Sequence, residues 1–390
     1  MTAWASRRIL DLLGIDLPII QAPMAGVVTA AMVVAVAEAG GLGSLPCAML
    51  DPGQISAELA MLRRRTSKPI NLNFFCHAPP GVDAARGAAW RQRLWSYHAE
   101  YALAADSSAD VLPVTPFDGG HCNLLAALKP EIVSFHFGLP DQGLLARVKA
   151  TGAKILCSAT TVEEAVWLER NGCDAIIAQG IEAGGHRGMF LSDDVTMRVG
   201  TMALVPQVVD AVEVPVIAAG GIADGRGIAA AFALGASAVQ LGTAYLFCPE
   251  AKISPLHRQA LATMREDRTT ITNIFSGRPA RVIANRAVRE LGPMAERIPD
   301  FPLAGAAIAS LRAKAEAAGS ADFTPLWSGQ AARLGRELPA GELTTRLAEE
   351  ALGRLGDTSD RIARNAALQP SDCPSAPQSR KIDDVGYWSG

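Results

Sequence analysis

The chain has 390 residues, 49% hydrophobic and 19% charged, enough to bury a large core and to build a barrel of about 250 residues with a smaller unit beside it. A formal net charge of −3 gives no electrostatic case for nucleic acid or an anionic membrane as partner. No stretch reaches about 18 uninterrupted apolar residues, and the opening MTAWASRRILDLLGIDLPII lacks an apolar core of signal-peptide length, so a cytoplasmic protein is expected.

The first apolar run, 17–21, ends in Gln21-Ala22-Pro23-Met24-Ala25-Gly26. A helix over 29–39 follows, stopped by Gly40-Gly41, then a short strand at 42–45. A second helix is predicted over 51–65, with Asp51 as N-cap and Pro52 at its first position; a third strand, PINLNFF at 69–75, carries Asn71 and Asn73. The rhythm breaks over 76–121, where Pro79-Pro80, an Arg- and aromatic-rich helical pattern over 84–105 and the Pro-spaced segment 113–120 read as an inserted lobe. The aromatic residues of that helix, Trp90, Trp95, Tyr97 and Tyr101, are expected to serve packing.

Strand patterns resume at 132–135, 154–158, 175–178, 214–218 and 238–241, separated by helices near 141–150, 162–171 and 201–211. Eight strands in regular alternation with helices predict a TIM (β/α)₈ barrel. Its last two units read VPVIAAGGIADGRGIAAAFALGASAVQLGTAYLF over 214–247. Gly220-Gly221 and Gly242-Thr243 would end neighbouring strands beside a helix capped by Asp224, a setting in which free amides and a helix N-terminus suit a phosphate.

Past about residue 249 the pattern becomes helical, near 254–264, 285–289, 304–318 and 342–355. The expected division is a barrel from 1–75 and 122–305, a mainly helical lobe from 76–121 and 306–367, and a loose tail, 368–390. Trp-Ser-Gly occurs at both 327–329 and 388–390 without a convincing internal repeat. Seven cysteines, at 47, 76, 122, 157, 173, 248 and 373, show no metal-ligand spacing, and no metal is expected.

Polar residues fall at or just beyond the carboxyl ends of the proposed strands: Gln21, Asn73, His136, Ser158, Gln179 and Gln240. That is where a barrel places its chemistry, and buried amides or imidazoles there need partners. Of six histidines, His136 stands at a strand end between two Phe residues, and His186, beside Arg187, is its rival. His77, His98, His121 and His257 are expected to be solvated or structural; Arg187 and Arg278 could attract an anion.

In combination, PIIQAPMAG (18–26), NLNF (71–74), VSFHFGLP (133–140) and QGIEAGGHRG (179–188) resemble the FMN-dependent nitronate monooxygenases, in the class with a catalytic histidine. The resemblance covers roughly 10–250. It implies FMN as cofactor, with Pro23, Met24, Asn73, Gln179, Gly184 and Gly185 along the ring and ribityl chain. Gly220, Gly221, Gly242 and Thr243 would take the phosphate; Gln240 completes the cofactor wall, and Gln21 and His186 would face substrate. It implies His136 as the catalytic residue, O₂ as co-substrate, and conversion of an anionic nitronate to a carbonyl compound and nitrite. Monomer and homodimer stay open. So do an FMN-dependent NAD(P)H enoyl-thioester reductase and a non-catalytic flavin-binding protein.

Overall fold

The computed structural model describes residues 4–367 except 5, 82, 105–113, 197–198 and 265–267, and side chains as far as 356. The expected tail 368–390 and part of the 113–120 segment lie outside the described residues. In chain order the strands are β1 (Ile19–Gln21), β2 (Gly43–Pro46), β3 (Ile70–Phe75), β4 (Ile132–His136), β5 (Lys154–Ala159), β6 (Ala175–Gln179), β7 (Gly185–His186), β8 (Val216–Ala219), β9 (Ala238–Leu241), β10 (Thr269–Thr272) and β11 (Ala280–Ile283).

Among the described residues, eight strands form one parallel sheet in the order β1-β9-β8-β6-β5-β4-β3-β2. An Ile20–Leu42 bridge joins its two ends, where the Leu42 N–H donates to the Ile19 carbonyl (2.9 Å) and the Gln21 N–H to the Leu42 carbonyl (3.0 Å). The result is a closed (β/α)₈ barrel. Its strands read as nearly continuous apolar runs, such as AIIAQ and VIAA, because both faces are covered.

The helices begin where their caps stand. Asp51 and Gln54 form a reciprocal capping box ahead of Pro52–Arg63, and Thr29, Asp141, Thr161 and Asp224 accept from the first-turn amides of their own helices. Helix Arg8–Leu13, which periodicity did not bring out, buries Ile9, Leu10 and Leu13 against the barrel interior. It plugs the end of the barrel opposite the strand carboxyl termini.

A second core gathers Trp90 and Leu94 of helix Ala84–Glu100 with Ile274, Phe275, Val288, Leu311 and Phe323. Trp90 is fully buried, Tyr97 and Tyr101 lie edge-on to Phe323, and Trp95 is exposed. Trp90, Tyr97 and Tyr101 thus pack as expected, whereas Trp95, expected to pack, faces solvent. Two features depart from the expected helical C-terminal region. β10 and β11 form an antiparallel hairpin, and β11 pairs in turn with β7, so residues 269–283 pack with the lobe. The helix Ala340–Ala367 buries Ala340, Leu343, Leu347 and Ala351 in the barrel core, against the helices Ala30–Glu38 and Gly225–Ala233. It completes the barrel's outer ring; its amphipathic pattern shows that one face is buried but not against what.

Leu347 is fully buried in that seam. Leu347→Ala should lower stability by about 3 kcal/mol, read as a fall in the urea midpoint with unchanged m value; an unmoved midpoint would show that this helix does not seal the barrel.

Candidate functional site

A cavity of about 510 Å³ opens at the strand carboxyl ends and runs under the second lobe. That volume is typical of sites for small organic molecules or cofactors. It is lined by Pro23, Met24, Asn73, His136, Ser158, Gln179 and Gln240. The lining also takes in Gly184, Gly185, His186, Gly220, Gly221, Gly242 and Thr243. Of the catalytic, cofactor and substrate residues expected from sequence, all but one therefore share one mouth; Arg187 and Arg278 stand behind its wall. The exception is Gln21, which is fully buried away from it. Its Oε1 accepts from the Ser44 N–H (3.0 Å) and its amide nitrogen donates to the Ala22 carbonyl, so it fastens β1 to β2 and is out of reach of a substrate.

At the glycine end, Gly220 and Gly221 hold φ of 109° and 71°, a conformation open to glycine and rarely taken by other residues. A side chain at Gly221 would press on Glu182 at 3.2 Å. The nearby helix N-terminus is not free as expected: the Arg226 and Gly227 amides donate to Asp224 (3.0 and 3.2 Å), and the Gly225 amide donates to Glu350 (3.3 Å). Any anion here must rely on the loop backbone. Gly184 has a different necessity, because a Cβ there would lie 2.4 Å from the Gly329 nitrogen, whose N–H donates to Thr243 Oγ1 (2.9 Å).

Gln179 spends most of its amide within the protein, donating to the His186 carbonyl (3.0 Å) and accepting from the Gly188 N–H (2.9 Å). Asn73 donates to Ser134 Oγ (2.9 Å). Gln240 is the opposite case: its Oε1 is buried in the cavity wall without a hydrogen-bond partner. A buried acceptor left so costs a few kcal/mol, about 1–3, unless a ligand donor meets it.

At the histidine end, His136 Nδ1 lies 3.0 Å from Ser158 Oγ, on the neighbouring strand. Gly188 packs against both, since a Cβ there would meet His136 Cε1 and Ser158 Cβ at 2.9 Å. Burial pushes the His136 imidazole down to about 3, with His186 and Arg278 adding repulsion. His186 is brought opposite by β7; its Nε2 contacts Ser276 Oγ (2.8 Å) and burial lowers it to about 4. Both rings are neutral at neutral pH.

The remaining histidines are buried, not solvated. His98 and His121 are structural, bound to the Leu94 carbonyl (3.0 Å) and Asp118 (2.8 Å). His77 sits among Phe75, Phe137 and Phe301, and His257 lines the cavity with Nε2 3.1 Å from the Trp327 carbonyl. Arg187 is buried too, donating to the Gln179 and Gly180 carbonyls (3.0 and 2.6 Å). Sequence reasoning missed Phe275, Phe301, Trp327, Gly329 and Arg312, which the lobe adds to the wall. Trp-Ser-Gly at 327–329 was visible as a motif, but nothing local says that Trp327 lies against His186, centroids 5.2 Å apart and rings tilted by 41°.

A parallel barrel whose mouth joins glycine-rich loops to a buried, neutral histidine defines a class: cofactor-dependent (β/α)₈ enzymes. Comparison with known proteins narrows it. The chain matches the nitronate monooxygenase family over residues 6–350. It is 45% identical over 347 residues to a nitronate monooxygenase of Paraburkholderia phytofirmans, covering 88% of this chain and 94% of that protein. To a nitronate monooxygenase of Pseudomonas aeruginosa it is 43% identical over 348 residues, covering 89% and 99%. Among solved structures, nitroalkane oxidase from Streptomyces ansochromogenes superposes with a TM-score of 0.80 at 39% identity, covering 90% of this chain and 99% of that one. The chain belongs to the nitronate monooxygenase family, which is flavin-dependent. Among the described residues no helix is long and apolar enough to cross a membrane.

Burial holds His77, His136, His186 and His257 at about 4, 3, 4 and 4 in the folded protein. Unfolded, each takes up a proton near pH 6.5. The unfolded state therefore binds more protons below about pH 6.5, and stability falls with pH until the folded rings titrate near 4. The unfolding free energy should drop between about pH 6.5 and 4.5, by up to about 1.4 kcal/mol per pH unit for each ring, and the urea midpoint with it; a flat midpoint across that window would contradict it.

Proposed function

We propose that this protein oxidises alkyl nitronates with O₂ to a carbonyl compound and nitrite, with FMN as its flavin and His136 as its catalytic residue. The observation that carries the reading is His136 itself, neutral, held by Ser158 and lining the same cavity as the glycine cradle.

The residues fit a flavin mononucleotide. The unpartnered Gln240 Oε1 is an acceptor awaiting a ring N–H, and Pro23, Met24 and Asn73 line the path from it. Gly220, Gly221, Gly242 and Thr243 would receive the phosphate through backbone amides and a hydroxyl. Gln179 would act chiefly by fixing the 186–188 backbone, and Gly184 and Gly185 would bring that backbone alongside the cofactor. Bound flavin supplies the electron acceptor and the site of reoxidation by O₂.

The chain's own groups handle binding and protons. With Nδ1–H donating to Ser158 Oγ, His136 Nε2 carries a lone pair able to take the α-carbon proton of a neutral nitroalkane. A nitronate arrives already ionised, so there the imidazole serves to orient it. Phe75, Phe301 and Trp327 exclude water from that end. His186 is the second polar group a substrate meets.

His136→Ala should keep the flavin bound and lower nitronate kcat/KM by about 10²–10⁴; a variant within a few-fold of the parent removes His136 from the role. Gly221→Asp should yield colourless protein, because a side chain and a like charge then occupy the cradle; full yellow colour after purification would refute the phosphate assignment. The activity is tested by anaerobic mixing of the yellow protein with ethylnitronate and, separately, NADPH. Bleaching or shift of the flavin band by nitronate alone is expected, whereas bleaching by NADPH alone would place the protein among reductases.

A further inference from the structure

Phe137, the residue after His136, has φ +69°, a left-handed backbone that an aromatic residue rarely adopts. Glycine would hold that conformation freely, whereas here the backbone carries an aromatic ring. It is enclosed by Phe75, Phe301 and His186, at centroid distances of 5.0, 5.4 and 6.0 Å. The Arg278 guanidinium carbon stands 4.1 Å from its centroid. Arg278 is half-buried, and its Nη2 donates to the Met189 carbonyl (2.7 Å).

The charges around this guanidinium come from every side. Asp193 and Glu164 act on it through space and neither is its hydrogen-bond partner. Glu164 is already saturated, accepting from Thr160, Phe190 and Leu191. His77, His136 and His186 all feel the Arg278 charge, and His136 feels Arg187 besides. Arg187 is committed to the Gln179 and Gly180 carbonyls. The histidine end of the cavity is thus a low-dielectric region with neutral imidazoles and a fixed cation behind an aromatic ring, its charge offset in part by Asp193 and Glu164, and there a charge acts far more strongly than in water.

Resting on the nitronate reading above, we propose that Arg278 is a positioning residue. Seated on the Phe137 ring, it supplies a fixed positive charge that draws an anionic substrate to the His136 end, and so spares His136 from carrying that charge itself. Arg278 is absent from the cavity wall, so it acts through its field and through the Phe137 ring. An imidazolium would bind an anion equally well but would be useless as a base. The separate cation lets one site bind nitronates and keep Nε2 unprotonated.

The test replaces the charge and keeps the shape. Arg278→Gln retains a donor for the Met189 carbonyl, Arg278→Met retains the contact with the ring should the first variant fail to hold flavin, and Arg278→Lys restores the charge. Flavin absorbance checks each variant for an intact site. For the neutral variants we expect ethylnitronate KM to rise roughly ten-fold, the KM of neutral nitroethane to move little, and Lys to recover most of the loss. The acid limb of the nitroethane kcat/KM profile should move to higher pH, because removing the cation eases protonation of His136. Nitrate, an inert anion, gives a reading independent of turnover: it should perturb the flavin band of the parent and of the Lys variant at concentrations about ten-fold below those needed for Gln. Equal losses on ethylnitronate and nitroethane, or unchanged nitrate binding, would overturn the proposal and leave Arg278 a packing residue. A parent that binds nitrate through Arg278 yet turns over no nitronate would instead sink the functional reading alone.

Discussion

Everything at the mouth depends on the seam between β1 and β2. An open eight-stranded sheet would expose two edges, and closure requires the first and last strands in space to meet in register. Here the seam is short, one bridge and two backbone hydrogen bonds. Gln21 extends it by accepting from the Ser44 amide. Closure makes the carboxyl ends converge, so that residues as far apart in sequence as Met24 and Thr243 face one cavity. It also gives the Arg8–Leu13 helix an interior to plug.

Convergence then imposes an electrostatic constraint. Loops that meet at a closed mouth shield one another from water, and every polar group there must find a partner or lose its charge. The chain answers in three ways. Gln179 and Asn73 bond to neighbouring chain. His136 and His186 go neutral. Gln240 Oε1 stays unmet. The unmet acceptor and the cavity that contains it belong to one design, in which a ligand completes the hydrogen bonding.

Much of this was legible from sequence where the signal is local. Apolar runs bounded by Gly and Pro marked the eight barrel strands, and Asp51 and Asp224 marked helix starts, because a strand's burial and a helix cap each leave their trace within a few residues. The alignment of Asn73, His136, Ser158, Gln179 and Gln240 on one mouth followed from the parallel topology alone. What failed was non-local. Gln21 has the position of a ligand-facing residue, and only its neighbour across the seam, Ser44, turns it inward. The hairpin of β10 and β11 is spaced by a loop, Asn273-Ile274-Phe275-Ser276-Gly277-Arg278-Pro279, that blurs the alternation of its short strands. Likewise the Asp224 carboxylate was read as a cap and its helix as an anion site, and the same amides cannot serve both.

The two buried arginines show why the AGGHRG segment keeps its shape. A loop rich in glycine has few side chains to anchor it and loses much entropy on ordering. Arg187 donates to the Gln179 and Gly180 carbonyls, and Arg281 reaches the Ile181 carbonyl (2.9 Å) from β11. Three consecutive carbonyls are thus held by two guanidiniums. Buried cations are tolerable because each donates to several oxygens there, and Glu164 and Glu182 lie near enough to Arg187 to offset its charge. Glu182 is itself pinned by the Thr201 amide and hydroxyl, both at 2.9 Å from Oε2. Barrel loop, lobe hairpin and helix start are therefore tied by one charge network. His186, carried on β7 between them, inherits a position set largely by the two arginines behind the wall, and that is how a backbone without side chains can present a rigid wall to a planar ligand.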